Sequence, residues 1–400
     1  MPGLGTVRTV LVGLGGYGNG YVNAALDRAG ELGIELVGAV DPAPDGCIRR
    51  EELAAAVGRI HPTLEAFYAE READLAVISA PIHLHAPFTI TALRSGSHVL
   101  CEKPVAAVVE DARAMGAAAE ECGRSVTVGY QWSFSGTIQR IRRDVRAGRF
   151  GRPVSLRTLV LWPRAASYYG RSSWAGLLRT PDGKWVMDSP ANNATAHYLH
   201  NPLFILGEAG TPVSVEAELY RANRIESFDT AAIRVETACG ARVLFSTTHA
   251  VPSNVGPVIW YRFSEADVYC DVPGHFYVRR ADGSVEDYGC PDVSPAEKIE
   301  RVASDVAAAR DRGEAVASAC SVADATEQLR VVAGAHRSSG IREFPPALIR
   351  RTTVDPVTDD ELTWVDGLQA ALVQCFAQDI LPAEHGGIGW AEAGSRVDLD

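Results

Sequence analysis

Residues 7–18 read VRTVLVGLGGYG. A β-branched apolar run, Val7 to Val12, meets a glycine cluster and then a segment of helical composition. Gly13, Gly15 and Gly18 fit the pattern G-x-G-x-x-G. The first glycine permits a tight turn, the second lets a pyrophosphate approach the backbone, and the third lets the helix pack close to the strand. Phosphates would meet the free N–H groups and positive dipole end of that helix, so Gly16 and Tyr17 between the glycines join the cofactor-binding set. A second apolar run, Glu35 to Val40, ends in Asp41. An acid at that strand tip can accept hydrogen bonds from both adenosine ribose hydroxyls. It would repel a 2′-phosphate, and Pro42-Ala43-Pro44 offers no adjacent cation, so NAD is expected over NADP. Arg49 and Arg50 are the nearest cations that could reverse this.

Working outward, residues 7 to about 130 alternate short apolar runs with helix-like stretches, the pattern of a parallel α/β sheet. Strands are predicted at 7–12, 35–40, 74–79, 97–101 and 125–129, and helices at 17–30, 50–58, 85–95 and 108–122. The pattern changes after Gly129. β-rich runs at 154–162, 213–221, 229–238 and 241–249, with helices at 294–312, 322–338 and 364–379, read as an antiparallel sheet with a few helices. At 400 residues the chain should hold two domains, or one domain with a large insertion; the change of pattern divides it as 1–130 and 131–400. A formal net charge of −12 argues against a nucleic-acid or membrane-surface partner. No apolar run approaches the ~20 residues a membrane helix needs. The first strand begins within a few residues of Met1, leaving no room for a signal peptide. Eight cysteines without a C-x-x-C pair read as reduced thiols of a cytoplasmic protein, with no disulfide framework and no metal site.

Chemistry-bearing segments sit at strand ends. Ala80-Pro81-Ile82-His83-Leu84-His85 follows the run Leu75 to Ser79, and in a doubly wound sheet such ends face the ligand crevice. Ser79, Ala80, Pro81, His83 and His85 are therefore candidates for the nicotinamide half of a dinucleotide. Capping or loop bonding is the alternative for each histidine. His98-Val99-Leu100-Cys101-Glu102-Lys103-Pro104 ends the next strand. Lysine before proline does not continue comfortably into a helix, so Lys103 is presented from a turn. There it can bond a substrate hydroxyl, steady a developing alkoxide or relay a proton. The alternative is a surface lysine paired with Glu102.

The motifs GLGGYG, AVDP, PIHLHAPFTITALRSGSHVLCEKP and VGYQWSF together resemble the glucose–fructose oxidoreductase / inositol dehydrogenase / MocA family, from residue 7 to about 210 and more weakly to about 390. The resemblance implies an N-terminal Rossmann domain and a C-terminal α+β domain with a large, open, mainly antiparallel sheet. It also implies tightly held NAD(P), a sugar, cyclitol or glycoside substrate, Lys103 in the active site, and Glu102 and Gln131 beside the cofactor. A homodimer or homotetramer built through the open sheet is expected of such a protein.

A third segment is Met187-Asp188-Ser189-Pro190-Ala191-Asn192-Asn193-Ala194-Thr195-Ala196-His197. Ser189 as cap and Pro190 in the first turn predict a helix running to about Leu206 and stopping at Gly207. Asn193 and His197 would then share one face, with Asn192 one step round. The family usually has an aspartate four residues before this histidine, with a glycine between. Here those positions are Asn193 and Thr195. His197 is thereby implied as the acid/base, while the carboxylate does not carry over. Asparagine bonds a hydroxyl but cannot take a proton. Either Asp188 supplies the carboxylate or the site works without one. Upstream, Trp162, Arg164, Tyr168 and Trp174 lie in an aromatic, arginine-bearing span suited to the apolar faces and hydroxyl rims of sugars. Loop packing or a subunit contact is the alternative. Three functions fit: an NAD-dependent sugar or cyclitol dehydrogenase, an NAD-dependent glycosidase or lyase that recycles its cofactor, and a non-catalytic ligand-binding accessory protein.

Overall fold

The computed structural model describes residues 5–271 and 274–399. They form two compact units, one reaching to Ser135 and including Asp292–Thr326, the other made of Gly136–Pro291 and Glu327 onward.

In the first unit β1 (Val7–Val12), β2 (Ile34–Val40), β3 (Ile60–His61), β4 (Leu75–Ile78), β5 (His98–Cys101) and β6 (Val126–Val128) make one parallel sheet in the order β3-β2-β1-β4-β5-β6. Strands buried on both faces read as continuous apolar runs, and every residue of β4 is buried. The order reverses between β1 and β4, which sets a ligand crevice outside the carboxyl ends of the strands. The helices Gly18–Arg28, Arg50–Val57, His85–Arg94 and Val109–Cys122 match the predicted ones to within two residues. The short pair Ile60–His61 and the helix Leu64–Tyr68 were too brief to show a period in the sequence.

The single division expected after residue 130 differs from what is seen, because Asp292–Thr326 returns to the first unit. The helix Pro295–Arg312 explains it. Its stripe Ile299, Val302, Ala303 and Val306 is buried in one core with Val7, Leu11, Tyr21 and Leu75. A stripe of this kind predicts a buried face but does not say against which sheet.

In the second unit β7 (Pro153–Leu161), β8 (Pro212–Arg221), β9 (Thr230–Thr237), β10 (Arg242–Thr248), β11 (Val255–Phe263), β12 (Ala266–Cys270), β13 (Phe276–Arg280), β14 (Val285–Gly289) and β15 (Ile341–Glu343) form a sheet in the order β14-β13-β12-β11-β7-β10-β9-β8-β15. Its pairs are antiparallel except β7 with β10 and β8 with β15. The helix expected at 364–379 covers only Leu368–Gln378. Asp360–Val365 is instead a strand paired with Ile349–Asp355, where Thr352, Thr353 and Thr363 favour extended backbone. No helix among the described residues is long and apolar enough to cross a membrane.

Glu218 on β8 is fully buried. It accepts from Tyr220 Oη at 3.0 Å and from the Ala383 amide at 2.9 Å. Burial raises its pKa from 4.5 to about 7. The folded form therefore binds this proton more tightly than the unfolded chain. The group contributes stability that is complete below pH 4.5 and is lost as pH rises through about 7. Urea denaturation at several pH values should show Glu218→Gln relatively more stable than wild type at pH 8 than at pH 5. Parallel stability curves for the two proteins would refute this.

Candidate active site

The sequence around the glycine loop dictates its geometry. Gly13 sits at φ +82°, and a Cβ there would lie 2.3 Å from the Ser79 carbonyl oxygen. A Cβ on Gly18 would lie 2.2 Å from the Gly13 carbonyl oxygen. Neither position admits another residue. Gly16, at φ +54°, has open space where its Cβ would be. Asp41 caps the loop: its carboxylate accepts from the Leu14 amide and the Ala43 amide, each at 2.9 Å. Tyr17 is exposed at the start of the helix Gly18–Arg28.

Two further strand ends converge on the same edge of the sheet. Ser79 follows β4, and its amide bonds the Val12 carbonyl at 2.8 Å. Ala80 and Pro81 lead into a short turn of helix, Ile82–Leu84, that holds His83. His85 is buried, with Nε2 2.8 Å from the Ala80 oxygen and Nδ1 2.7 Å from the Pro104 oxygen. It ties the loop after β4 to the loop after β5, the loop-bonding role. Gln131 opens the short helix after β6. Lys103 follows β5 on a turn whose Lys103–Pro104 peptide is cis.

Glu102 is not a surface partner for Lys103. It is buried, and its side chain is shared between Tyr21 Oη, Lys298 Nζ and the Lys103 amide, the last at 3.1 Å. Burial alone would raise its pKa. The Lys298 ammonium and the hydrogen bonds from Lys298 and Tyr21 outweigh that and hold it below the usual carboxylate range. Lys298 is wholly buried and also donates to the Gly129 carbonyl at 3.3 Å. Its ammonium lies 4.7 and 5.2 Å from the ring centres of Tyr17 and Tyr21. Sequence reasoning missed Lys298, since a lysine in a Glu- and Arg-rich helix reads as solvated.

In the second unit the expected helix from Pro190 is not continuous. Residues 190–195 are turns and the helix spans Ala196–Leu206. Side chains compete with the backbone there. Ser189 Oγ accepts from the Asn192 amide at 3.2 Å, Asn192 Nδ2 donates to the Met187 carbonyl at 3.2 Å, and Thr195 Oγ1 donates to the Pro190 carbonyl at 2.8 Å. Asn193 and His197 are thus not successive turns of one helix. Met187 holds φ +50°, a conformation that non-glycine residues adopt where surrounding contacts enforce it. Next to it Asp188 is buried and accepts from Asn193 Nδ2 at 2.7 Å, the Gly176 amide at 2.7 Å and Arg171 Nη2 at 3.4 Å.

The aromatic span is a cluster in its own right. Trp162 meets Tyr198 edge to face at 5.4 Å, and Tyr198 neighbours His197. Arg171 lies over Tyr168 at 3.8 Å and over Trp174 at 5.3 Å, while Arg164 lies over Tyr168 at 5.1 Å. His249, unremarked in the sequence, packs on Tyr168 at 5.5 Å.

The family profile of oxidoreductases with an NAD-binding Rossmann fold matches residues 7–130. Over those residues the chain is similar to the glucose–fructose oxidoreductase / inositol dehydrogenase / MocA family. A 1-carboxy-3-chloro-3,4-dihydroxycyclohexa-1,5-diene dehydrogenase of Comamonas testosteroni is 27% identical over 238 residues, 59% of this chain and 57% of that protein. An inositol 2-dehydrogenase of Rhizobium meliloti is 25% identical over 248 residues, 61% of this chain and 69% of that enzyme. The crystal structure of the WlbA dehydrogenase from Bordetella pertussis, in complex with NADH and UDP-GlcNAcA, superposes with a TM-score of 0.66 at 25% identity, covering 83% of this chain and 96% of that one. The chain thus spans little more than half the length of the first of these relatives. The loop that excludes any side chain at Gly13 and Gly18, with Asp41 at the β2 tip, lies within the residues this family profile matches.

Proposed function

We propose that this chain is an NAD-dependent dehydrogenase that moves a hydride between the CH–OH carbon of a sugar or cyclitol and the nicotinamide. One observation carries the reading: a glycine loop at the switch point, flanked by Asp41 on one side and by Lys103, held through Glu102, on the other. Bound NAD would supply the hydride acceptor. Gly15, Gly16 and Tyr17 offer the pyrophosphate the start of the helix Gly18–Arg28. Asp41 accepts from the adenosine ribose, and Ser79, Ala80, Pro81, His83 and Gln131 border the nicotinamide half. Lys103 donates to the substrate hydroxyl oxygen and steadies its negative charge. His197, in the second unit, is the acid/base that the family resemblance implies. Asp188, by accepting from Asn193 Nδ2, turns the Asn193 carbonyl oxygen toward a substrate hydroxyl, while Trp162, Tyr168, Trp174, Asn192 and Arg164 bound the sugar. NADH formation across a panel of sugars, cyclitols and glycosides tests the reading.

NAD should bind more tightly than NADP by at least about tenfold, since a 2′-phosphate would face the Asp41 carboxylate at short range. The nearby arginines are already engaged, Arg49 with Asp27 and Glu52 and Arg50 with Asp45. Titration should show Asp41→Ala narrowing the gap. Equal affinities in the wild type would contradict the assignment.

The same proposal includes a homo-oligomer formed through the second unit's sheet. Trp260, Tyr269 and Tyr277 stack across β11, β12 and β13 with ring centres 5.8 and 5.6 Å apart. Such aromatic surface is enriched at interfaces, and light scattering of the purified chain tests it.

A further inference from the structure

We propose that the Tyr168 cluster binds an oxyanion substituent, a carboxylate or a phosphate, on the sugar or cyclitol. This rests on the dehydrogenase reading for the ring that carries the substituent, and on residues of the second unit alone for the charge. Two guanidinium groups, Arg164 and Arg171, lie against the single ring of Tyr168, at 5.1 and 3.8 Å. Like charges gathered at one ring repel unless an anion joins them. Among the described residues one carboxylate, Asp188, pairs with these guanidinium groups, and it reaches Arg171 only at 3.4 Å. Its shorter bonds, both 2.7 Å, go to Asn193 and the Gly176 amide. Arg164 has no acidic partner within the described residues, and its hydrogen bond goes to the Pro163 carbonyl at 3.1 Å. Its side chain is half-buried and is held against Trp162 and Tyr168. A guanidinium stacked on aromatic rings without a carboxylate keeps its planar fork of donors for a carboxylate or phosphate.

A second, independent observation lies beneath the same ring. His249 is 1% exposed and packs on Tyr168 at 5.5 Å. Its Nδ1 is 2.8 Å from the Trp162 carbonyl oxygen and so carries the hydrogen. That leaves Nε2 as an acceptor, and it is buried without a hydrogen-bond partner. Buried polar atoms are normally satisfied, and in this proposal an O–H of the ligand satisfies this one. Burial, with Arg164 and Arg171 nearby, pushes the His249 pKa down to about 3, so it stays a neutral acceptor at physiological pH. Two cations and one neutral acceptor around an aromatic ring suit a hydroxylated ring bearing one anionic group better than a neutral polyol.

The test uses the full chain with saturating NAD⁺, titrated in a calorimeter with glucose, glucuronate and glucose 6-phosphate. At least one anion should bind about tenfold or more tightly than glucose, by the advantage of charge-assisted bonds. Arg164→Gln should erase most of that ratio, and Arg164→Lys should keep part of it. The anion that shows the effect identifies the substituent as carboxylate or phosphate. Two outcomes overturn the proposal: neither anion binds more tightly than glucose, or Arg164→Gln weakens all three ligands equally, as a merely structural role would. NADH release is read separately. Glucose oxidised with no anion preference leaves the dehydrogenase standing and removes the oxyanion site. An anion bound tightly through Arg164 without NADH release does the reverse.

Discussion

Replacing Lys298 by methionine should destabilise the first unit by about 3–5 kcal/mol, the usual result of removing one partner of a buried ion pair. Lys298 is fully buried and its ammonium serves Glu102 and the Gly129 carbonyl. Without it, the Glu102 carboxylate is left charged in a site where desolvation alone would raise its pKa. Glu102→Gln in the same background removes that charge, so the double variant should be more stable than the sum of the single losses implies. The pair also sets an acid limit. A carboxyl whose folded pKa lies below its ordinary 4.5 contributes stability above that pH and loses it as pH falls through the folded value. Lys298→Met should flatten that acid limb. Urea denaturation across pH measures both effects, and a loss below about 1 kcal/mol would mean that the pair is not buried in solution. Because the Lys103 amide rests on Glu102 Oε2 at 3.1 Å, the variant should also weaken whatever Lys103 does.

The second large effect concerns that lysine and the acid/base proposed in the second unit, His197. Lys103→Ala and His197→Ala should each lower kcat by about 10²–10⁴-fold, the usual contribution of a positioned acid or base. NAD affinity should change far less, since the phosphates and adenosine are held by the glycine loop and Asp41. If the two residues handle one proton, their losses should not add, and the double variant should be little worse than the poorer single one. Asn193→Ala should instead raise KM more than it lowers kcat, as loss of a hydroxyl contact would. A normal kcat in either alanine variant would remove that residue from the mechanism.

The first unit was legible because its signals are local. The glycine spacing, the apolar runs and the acid at position 41 each report on their own neighbourhood, and the predicted strands fell within two residues of expectation, leaving only the brief β3 unread. What escaped depended on contacts distant in sequence. Lys298 lies 196 residues from Glu102, and nothing in PAEKIERV marks that lysine as buried. The return of Asp292–Thr326 to the first unit has the same origin, since an amphipathic stripe does not name its partner sheet. The false helix start at Pro190 failed for a local reason: Ser189, Asn192 and Thr195 hold the backbone in turns with their own side chains. His249 was invisible because its significance is an unsatisfied nitrogen, which composition cannot show. Asp188 was singled out from sequence, and the structure shows which group it holds, Asn193 Nδ2.

The most direct test of the account mixes the purified chain with NAD⁺ and a panel of neutral and acidic sugars, cyclitols and glycosides. Absorbance of reduced nicotinamide and product mass are followed together. The account predicts a product two hydrogens lighter than its substrate, formed mole for mole with NADH, and formed about 10²–10⁴-fold more slowly with Lys103→Ala. A substrate consumed with no net NADH, its glycosidic bond broken and its oxidation level unchanged, would contradict the account and identify the redox-neutral lyase chemistry instead.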